Sequence, residues 1–355
     1  LEKIKVLIVD DSAIVREVLS EKLSMEDDII VVGTAPDPYV ARDKILKFKP
    51  DIITLDIEMP RMDGLTFLGI LMKYFPIPVI IVSSVTTQDK YAAIKALELG
   101  AFDIVNKPGG SFTIADVIGD ILYKIRQAYL QCDNYIAKRK AVDEQIIRKQ
   151  VPFSPKTAIL TGITTTDRYI AIGASTGGTI ALEYIIKNLP ANLPPVLIVQ
   201  HMPPLFTKQF ANRLDDLSEL NVKEAEEDEI INPGYVYIAP GGYHLTLIRK
   251  GITLYTRLLD TPRENYQKPS VDVLFRSMAE ITGKNSLGIL LTGMGRDGAQ
   301  GLLQMKNSGA QTVSQDEASS VVYGMPRAAA EIGAAKEILS LDRIPARIIA
   351  YATAS

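Results

Sequence analysis

Apolar residues in the first part of the chain recur as short β-branched runs: IKVLIV (4–9), IIVVGT (29–34), DIITL (51–55), PVIIV (78–82) and FDIV (102–105). Between them lie stretches with helical periodicity, such as SAIVREVLSEKL (12–23) and DKYAAIKALELG (89–100). Strands alternating with amphipathic helices predict an α/β unit with a parallel sheet covered on both faces. Ligands of such sheets bind at the carboxyl ends of the strands. From residue 126 to 167 the pattern changes: a helical start, a basic run (KRKAVDEQIIRK), then a segment rich in Pro and Thr. This stretch reads as a helix running into a solvated linker. The α/β rhythm resumes at Arg168, with strands expected at RYIAIGA, PVLIVQ, NSLGILLTG and AQTVSQ. The closely spaced YVYIAP, YHLTLIRK and ITLYTRL are joined by Gly-containing turns and read as antiparallel hairpins. The acidic run Glu224–Glu229 reads as an exposed loop. The organisation is thus a first α/β domain over 1–125, a linker over 126–167, and a second, mostly parallel α/β domain with an antiparallel hairpin over 168–355.

Composition narrows this picture. A net charge of −3 argues against a general nucleic-acid binder, and the second half shows no helix-turn-helix with a basic face. Cys132 is the one cysteine, which excludes an internal disulfide and argues against a thiolate metal cluster. No apolar stretch approaches the roughly 20 residues of a membrane span, and the first residues read as a strand rather than a signal peptide. The expectation is a cytoplasmic protein without membrane insertion.

The strand ends of the first domain carry its chemistry. Asp10 and Asp11 end the first expected strand and Asp56 the third, while Ser83 follows the fourth and Lys107 the fifth. All fall at one end of a parallel sheet. Three carboxylates together repel one another, so a hard divalent cation, Mg²⁺, is expected among them. A carboxylate beside that ion can attack a phosphoryl donor to give an acyl phosphate. Lys107 would balance the phosphoryl charge, and the Ser83 hydroxyl would donate to it. This pattern resembles the receiver domain of bacterial response regulators, a flavodoxin-like (βα)5 fold, over about residues 3–125. The resemblance implies phosphorylation at Asp56 by a histidine kinase. It also implies an acidic pair Asp10 and Asp11, with Asp11 a direct Mg²⁺ ligand helped by Asp56 and the Glu58 backbone carbonyl. Ser83 and Lys107 match the family's switch hydroxyl and lysine. Ile104 stands where many receivers carry an aromatic residue.

In the second domain, IAIGASTGG (170–178) places a serine between an apolar run and the helix-like TIALEYIIKNL. GASTGG fits neither the dinucleotide fingerprint nor the P-loop spacing. Ser175 could cap the following helix. Gly173-Ala-Ser-Thr-Gly177 also fits the G-x-S-x-G turn that exposes a nucleophile at a helix N-terminus. A serine nucleophile needs a base, and the chain has two histidines. His201 ends the strand PVLIVQ and would stand beside Ser175 if the two strands are neighbours; His244, in a hairpin, is the alternative. Asp297, in the turn of LLTGMGRDGAQGL, could orient the base or cap its own helix. The order Ser175, His201, Asp297 differs from that of α/β-hydrolases, which would need His244 with an earlier acid such as Asp215 or Asp228.

GASTGG, VQHMPP, VYIAPGGYHL, KPSVDVLF and LLTGMGRDGAQGL resemble the catalytic domain of the CheB chemotaxis methylesterases over about residues 168–350, with a receiver ahead of it as in that family. The resemblance implies a protein-glutamate methylesterase, also a protein-glutamine glutaminase, acting on methyl-accepting chemotaxis receptors. Ser175 would be the nucleophile, His201 the base and Asp297 its orienting acid, with Thr176 and the backbone at Met294 assisting the oxyanion. Ester hydrolysis would need no cofactor, so Mg²⁺ belongs to the receiver. In the lead-in to KPSVDVLF, Tyr266-Gln267 replaces a basic or His-rich pair. The contrasting reading is a response regulator whose second domain only binds a partner; a substitution at Ser175 separates the two. The resemblance further implies that an unphosphorylated receiver covers the active site. Residues 160–355 alone are then expected to be more active than the full unphosphorylated chain, and equal rates in an ester-hydrolysis assay would remove that mode of control.

Overall fold

The computed structural model describes residues 3–83, 89–107, 117–130 and 167–354, and divides the chain into two compact units. The expected linker over 126–167 lies outside the described residues, apart from its first five positions and Asp167.

The first unit is a five-stranded sheet in the order β2-β1-β3-β4-β5, every neighbouring pair parallel. Its strands are β1 (Ile4–Val9), β2 (Ile29–Ala35), β3 (Ile52–Leu55), β4 (Val79–Ser83) and β5 (Asp103–Asn106). β3 and β4 are buried along their whole length, as an apolar run covered on both faces requires. The helices are α1 (Ala13–Ser24), α2 (Pro38–Phe48), α3 (Gly64–Tyr74), α4 (Asp89–Leu99) and α5 (117–130). Three of them start where the sequence supplies an oxygen acceptor. Ser12, Asp37 and Asp63 each accept from backbone N–H groups of the first turn, and Pro38 follows Asp37 at a position that needs no N–H.

The second unit is built on a seven-stranded sheet in the order β14-β13-β12-β6-β7-β9-β8, again wholly parallel. In chain order it runs β6 (Tyr169–Ala174), α6 (Gly178–Lys187), β7 (Val196–Gln200), α7 (Phe206–Asp216), β8 (Asn221–Glu224) and β9 (Tyr235–Ile238). The antiparallel hairpin β10 (His244–Lys250) and β11 (Thr253–Leu259) follows. Then come α8 (Val271–Ile281), β12 (Ser286–Leu290), α9 (Ala299–Asn307), β13 (Gln311–Gln315), α10 (Met325–Glu331), β14 (Glu337–Leu339) and α11 (Ile344–Thr353). The hairpin is a separate two-stranded sheet.

Two local expectations are corrected. YVYIAP is not part of a hairpin: β9 lies in the main sheet, parallel to β7 and β8. Its run is buried at three of four positions, which a strand between two others demands. The acidic run is not wholly a loop. Glu224 ends β8 and accepts the Thr207 hydroxyl, and Ala225 is buried.

Close approach of α8 to β6 and to the turn before α9 shapes the core of this unit. A Cβ on Gly173 would lie 2.2 Å from Val271 Cγ1, and one on Gly298 would lie 2.6 Å from the same atom. The absence of those two carbons lets the start of α8 settle over the strand ends. Gly173→Ala is therefore expected to cost about 1–3 kcal/mol by overpacking. Combining it with Val271→Ala should recover part of that loss. Urea denaturation followed by far-UV circular dichroism measures both; a Gly173→Ala chain as stable as the wild type would contradict this packing.

Candidate active site and acidic pocket

Adjacent parallel strands bring the serine and one histidine together. β6 and β7 pair in register with Ala174 opposite Gln200, so Ser175 and His201 each stand one residue beyond that pair. His201 N–H donates to the Ala174 carbonyl at 3.1 Å. The turn after β12 closes over the end of β6, and Ser175 N–H donates to the Thr292 carbonyl at 3.0 Å. The Ser175 carbonyl in turn accepts from Gly178 N–H at 2.7 Å and from the buried Gln200 amide at 2.9 Å. The capping role open to Ser175 is not the one it takes. Gly177, at φ 77°, is the N-cap of α6, with no side-chain cap bond to that helix among the described residues.

His201 Nε2 lies 2.8 Å from Asp297 Oδ2, with both side chains buried. Asp297 is held well below the usual carboxylate range, at about 2: burial opposes ionisation, but His201, Asn265 and Ser270 outweigh it. An ionised carboxylate only accepts, so the proton of this contact sits on Nε2. Neutral His201 then carries its lone pair on Nδ1, which is buried and has no hydrogen-bond partner among the described residues. A proton acceptor is thus left open at the strand end beside Ser175.

Asp297 does not cap its own helix; Gly298 is the N-cap residue of α9. The Asp297 carboxylate instead receives Val271 N–H at 2.7 Å and Asp272 N–H at 3.2 Å, donors that have no acceptor within α8 at its start. The Ser270 hydroxyl adds a bond of 2.7 Å and the Asn265 amide one of 3.0 Å. KPSVDVLF is therefore the cradle of the acid.

His244 is fully buried, and both ring nitrogens are engaged. Nδ1 accepts Ser270 N–H at 3.1 Å, which requires the proton on Nε2, and Nε2 donates to the Pro262 carbonyl at 3.0 Å. It has no lone pair left for a serine. Asp215 is also committed elsewhere, accepting Val222 N–H at 2.7 Å, and Asp228 pairs with Lys250 on the surface.

Thr176 and Met294 are buried beside this centre. The Thr176 hydroxyl oxygen has no hydrogen-bond partner among the described residues, while its carbonyl accepts the Thr292 hydroxyl at 3.0 Å. Met294 lies between Gly293 and Gly295, and a Cβ on Gly293 would come within 2.8 Å of Ser175 Cβ.

In the first unit, carboxylate oxygens of Asp10, Asp11 and Asp56 lie within 4.8 Å of one another at the ends of β1 and β3. Asp10 and Asp56 are buried, and Asp11 is exposed. Lys107 Nζ lies 2.7 Å from Asp56 Oδ2 and 2.9 Å from Asp10 Oδ2. Burial pushes Asp56 up to about 6, with Lys107 opposing; Asp10 is raised for the same reason. Ser83 ends β4, fully buried, and its carbonyl accepts Lys107 N–H at 2.8 Å. Glu58 N–H points at Asp56 Oδ1 at 3.4 Å, and Glu58 lines an open groove with Asp11, Met59 and Pro60. Ile104 is buried within β5.

Comparison with known proteins finds one family in each unit. The CheB methylesterase family matches residues 170–348, and the response regulator receiver domain matches residues 6–118. A protein of Syntrophus aciditrophicus (strain SB) named protein-glutamate methylesterase/protein-glutamine glutaminase 2 is 48% identical over 353 residues, 98% of this chain and 99% of its own. A Salmonella typhi protein named protein-glutamate methylesterase/protein-glutamine glutaminase is 45% identical over 356 residues, 100% and 98% of the two chains. The crystal structure of the Thermotoga maritima CheB methylesterase catalytic domain shares 42% identity with a TM-score of 0.51, covering 52% of this chain and 97% of that one.

The donor set around Asp297 makes one substitution severe. Asp297→Ala leaves two helix N–H groups, two side-chain donors and a buried imidazole without their acceptor. The expected cost is about 3–5 kcal/mol of stability. Thermal and urea unfolding measure it; a loss below about 1 kcal/mol would show that the carboxylate is not the anchor of α8.

Proposed function

The chain belongs to the CheB methylesterase family, with a response regulator receiver domain preceding the catalytic domain, and we propose that Ser175, His201 and Asp297 carry its ester hydrolysis. The protein is a protein-glutamate methylesterase/protein-glutamine glutaminase of chemotaxis adaptation, governed by phosphorylation of its receiver. The 2.8 Å contact of His201 with Asp297, with His201 and Ser175 each one residue beyond the last paired positions of adjacent strands, carries the reading.

The reaction follows from the tautomer. Asp297 fixes the His201 proton on Nε2, so Nδ1 takes the Ser175 proton as Oγ attacks the γ-carbonyl of a methylated receptor glutamate. The ionised Asp297 stabilises the imidazolium that forms. The Thr176 hydroxyl and the backbone at Met294 face the developing oxyanion. When the tetrahedral centre collapses, His201 returns the proton to the departing methoxide, and methanol leaves an acyl-enzyme. Water, deprotonated by His201, attacks that ester, and the proton passes back to Ser175 as glutamate is released. With a glutamine substrate the same steps expel ammonia.

In the receiver, Asp10, Asp11 and Asp56 would hold Mg²⁺, together with the Glu58 carbonyl. Three converging carboxylates supply the hard oxygen donors that ion requires, and two of them are poorly solvated without it. Bound Mg²⁺ supplies positive charge for the phosphoryl oxygens. Asp56 attacks the phosphorus of a kinase phosphohistidine, the P–N bond breaks, and an acyl phosphate results. Lys107 then exchanges its contact with Asp56 for one with the phosphoryl group, and Ser83 donates its hydroxyl to it.

Methanol release from methylated receptor membranes tests both halves. Release that a small phosphodonor with Mg²⁺ stimulates, and that Ser175→Ala lowers by on the order of 10³ or more, is the expected outcome. Stimulation should vanish in Asp56→Asn while basal release persists. Undiminished release by Ser175→Ala would overturn the assignment of the nucleophile.

A further inference from the structure

The acid of the triad is not alone at the start of α8. Asp272, the second residue of that helix, is buried and faces the turn that carries Asp297. Its Oδ1 accepts Gly301 N–H at 2.6 Å in the first turn of α9, and Gly298 N–H also donates to this carboxylate. Asp297, from the turn before α9, accepts Val271 N–H and Asp272 N–H in the first turn of α8. Each helix start is thus satisfied by the aspartate of the other. A third residue ties the two acids together: the Asn265 amide nitrogen lies 2.8 Å from Asp272 Oδ2 and 3.0 Å from Asp297 Oδ1, one N–H for each. Asn265 and its neighbour Tyr266 both adopt left-handed backbone, at φ 51° and 66°. That conformation is tolerable for Asn and strained for Tyr, and it is retained where the bridging amide must be presented.

We propose that Asp272 is a positioning residue for ester hydrolysis: with Asn265 it locks the Asp297 carboxylate in the orientation that meets His201 Nε2. The inference rests on the assignment of Ser175, His201 and Asp297 above. Asp272 has two effects. Its second carboxylate oxygen turns the Asn265 amide so that the remaining N–H reaches Asp297. Its charge, added to that of Asp297, favours the imidazolium on His201. Burial and the neighbouring Asp297 push Asp272 up to about 6. A charged group near the pair is Arg276 on α8, which favours both carboxylates but is itself paired to Glu264 through two contacts of 2.5 Å. From β10, His244 faces Ser270 and reaches Asp297 only through it.

Asp272→Asn removes the charge at nearly constant shape. The new amide must give its oxygen to Gly301 N–H, so its NH₂ opposes the Asn265 NH₂ and the bridge to Asp297 fails. In the full-length chain, kcat is expected to fall roughly 10- to 100-fold with KM near the wild-type value. The acidic limb of the kcat/KM profile should move down by about half a unit to one unit, because the imidazolium loses a nearby anion. Asn265→Ala, which removes the bridge but leaves both charges, should lower kcat roughly 3- to 10-fold without moving that limb down. A changed melting temperature with wild-type kcat and pH profile would make Asp272 merely structural and overturn the proposal, as would an effect confined to KM. If Asp272→Asn does not fold, Asn265→Ala decides: wild-type kcat there refutes the lock. Ser175→Ala in the same assay separates the two levels. Activity that survives it removes the active-site reading itself, whereas its loss beside a wild-type-like Asp272→Asn removes the positioning role alone.

Discussion

A carboxylate stays ionised away from water only where donors replace its hydration. In the catalytic unit this constraint is met at Asp297, which receives two helix N–H groups, a hydroxyl, an amide and an imidazole. The arrangement settles much else. It places the start of α8 over the end of β6, and the glycines at 173 and 298 are where the backbone yields to that approach. It fixes the His201 proton on Nε2 and leaves Nδ1 open. It also assigns His244 to a supporting position, with both nitrogens used to hold Ser270 and the loop at Pro262.

The receiver treats its carboxylates in the opposite way. Asp56 and Asp10 are buried with too few donors, and burial raises both even though Lys107 bridges them. Asp56 is raised to about 6, so its folded form retains a proton that the unfolded chain releases near 3.8. The stability it contributes is therefore largest at low pH and falls as pH rises through about 6. An under-satisfied carboxylate is a poor anchor and a good nucleophile. Within one chain, the number of donors converging on a carboxylate separates the acid proposed to orient from the acid proposed to react.

The strand ends were legible in the sequence because parallel sheets impose a simple rule: whatever follows the last apolar residue of a strand lies on the ligand-binding edge. Asp10, Asp56, Ser83, Lys107, Ser175 and His201 all follow from it. The supporting residues did not, since their contacts with Asp297 and with the start of α9 join segments far apart in sequence and carry no local signal. Asn265, Ser270 and Asp272 stand in a stretch whose visible feature was its likeness to a family motif, and only the hydrogen bonds explain why that motif exists. Likewise the two histidines differ little by position along the chain; what separates them is whether a ring nitrogen is left over. β9 departs from the hairpin expectation for a related reason. A four-residue strand between glycine turns has no pattern that tells a hairpin from an interior parallel strand, and burial on both faces decides.

The geometry also bears on why the proposed mechanism calls for an acid at all. An imidazole beside a serine could accept its proton unaided, but nothing would then choose between the two nitrogens. Asp297 makes that choice, and it can do so only while ionised and fixed in orientation. Helix starts are suited to this task because their N–H groups are rigid and carry no competing acceptor. Using α8 to hold Asp297, and α9 to hold Asp272 in return, makes the orientation of the acid a property of helix packing rather than of a loop. The serine side is held in the same spirit. Gln200, at the end of β7, grips the Ser175 carbonyl, and Thr292, beyond β12, grips the Thr176 carbonyl. Ser175 and Thr176 thus sit at a turn, but that turn is pinned to strands that cannot move without disturbing the core.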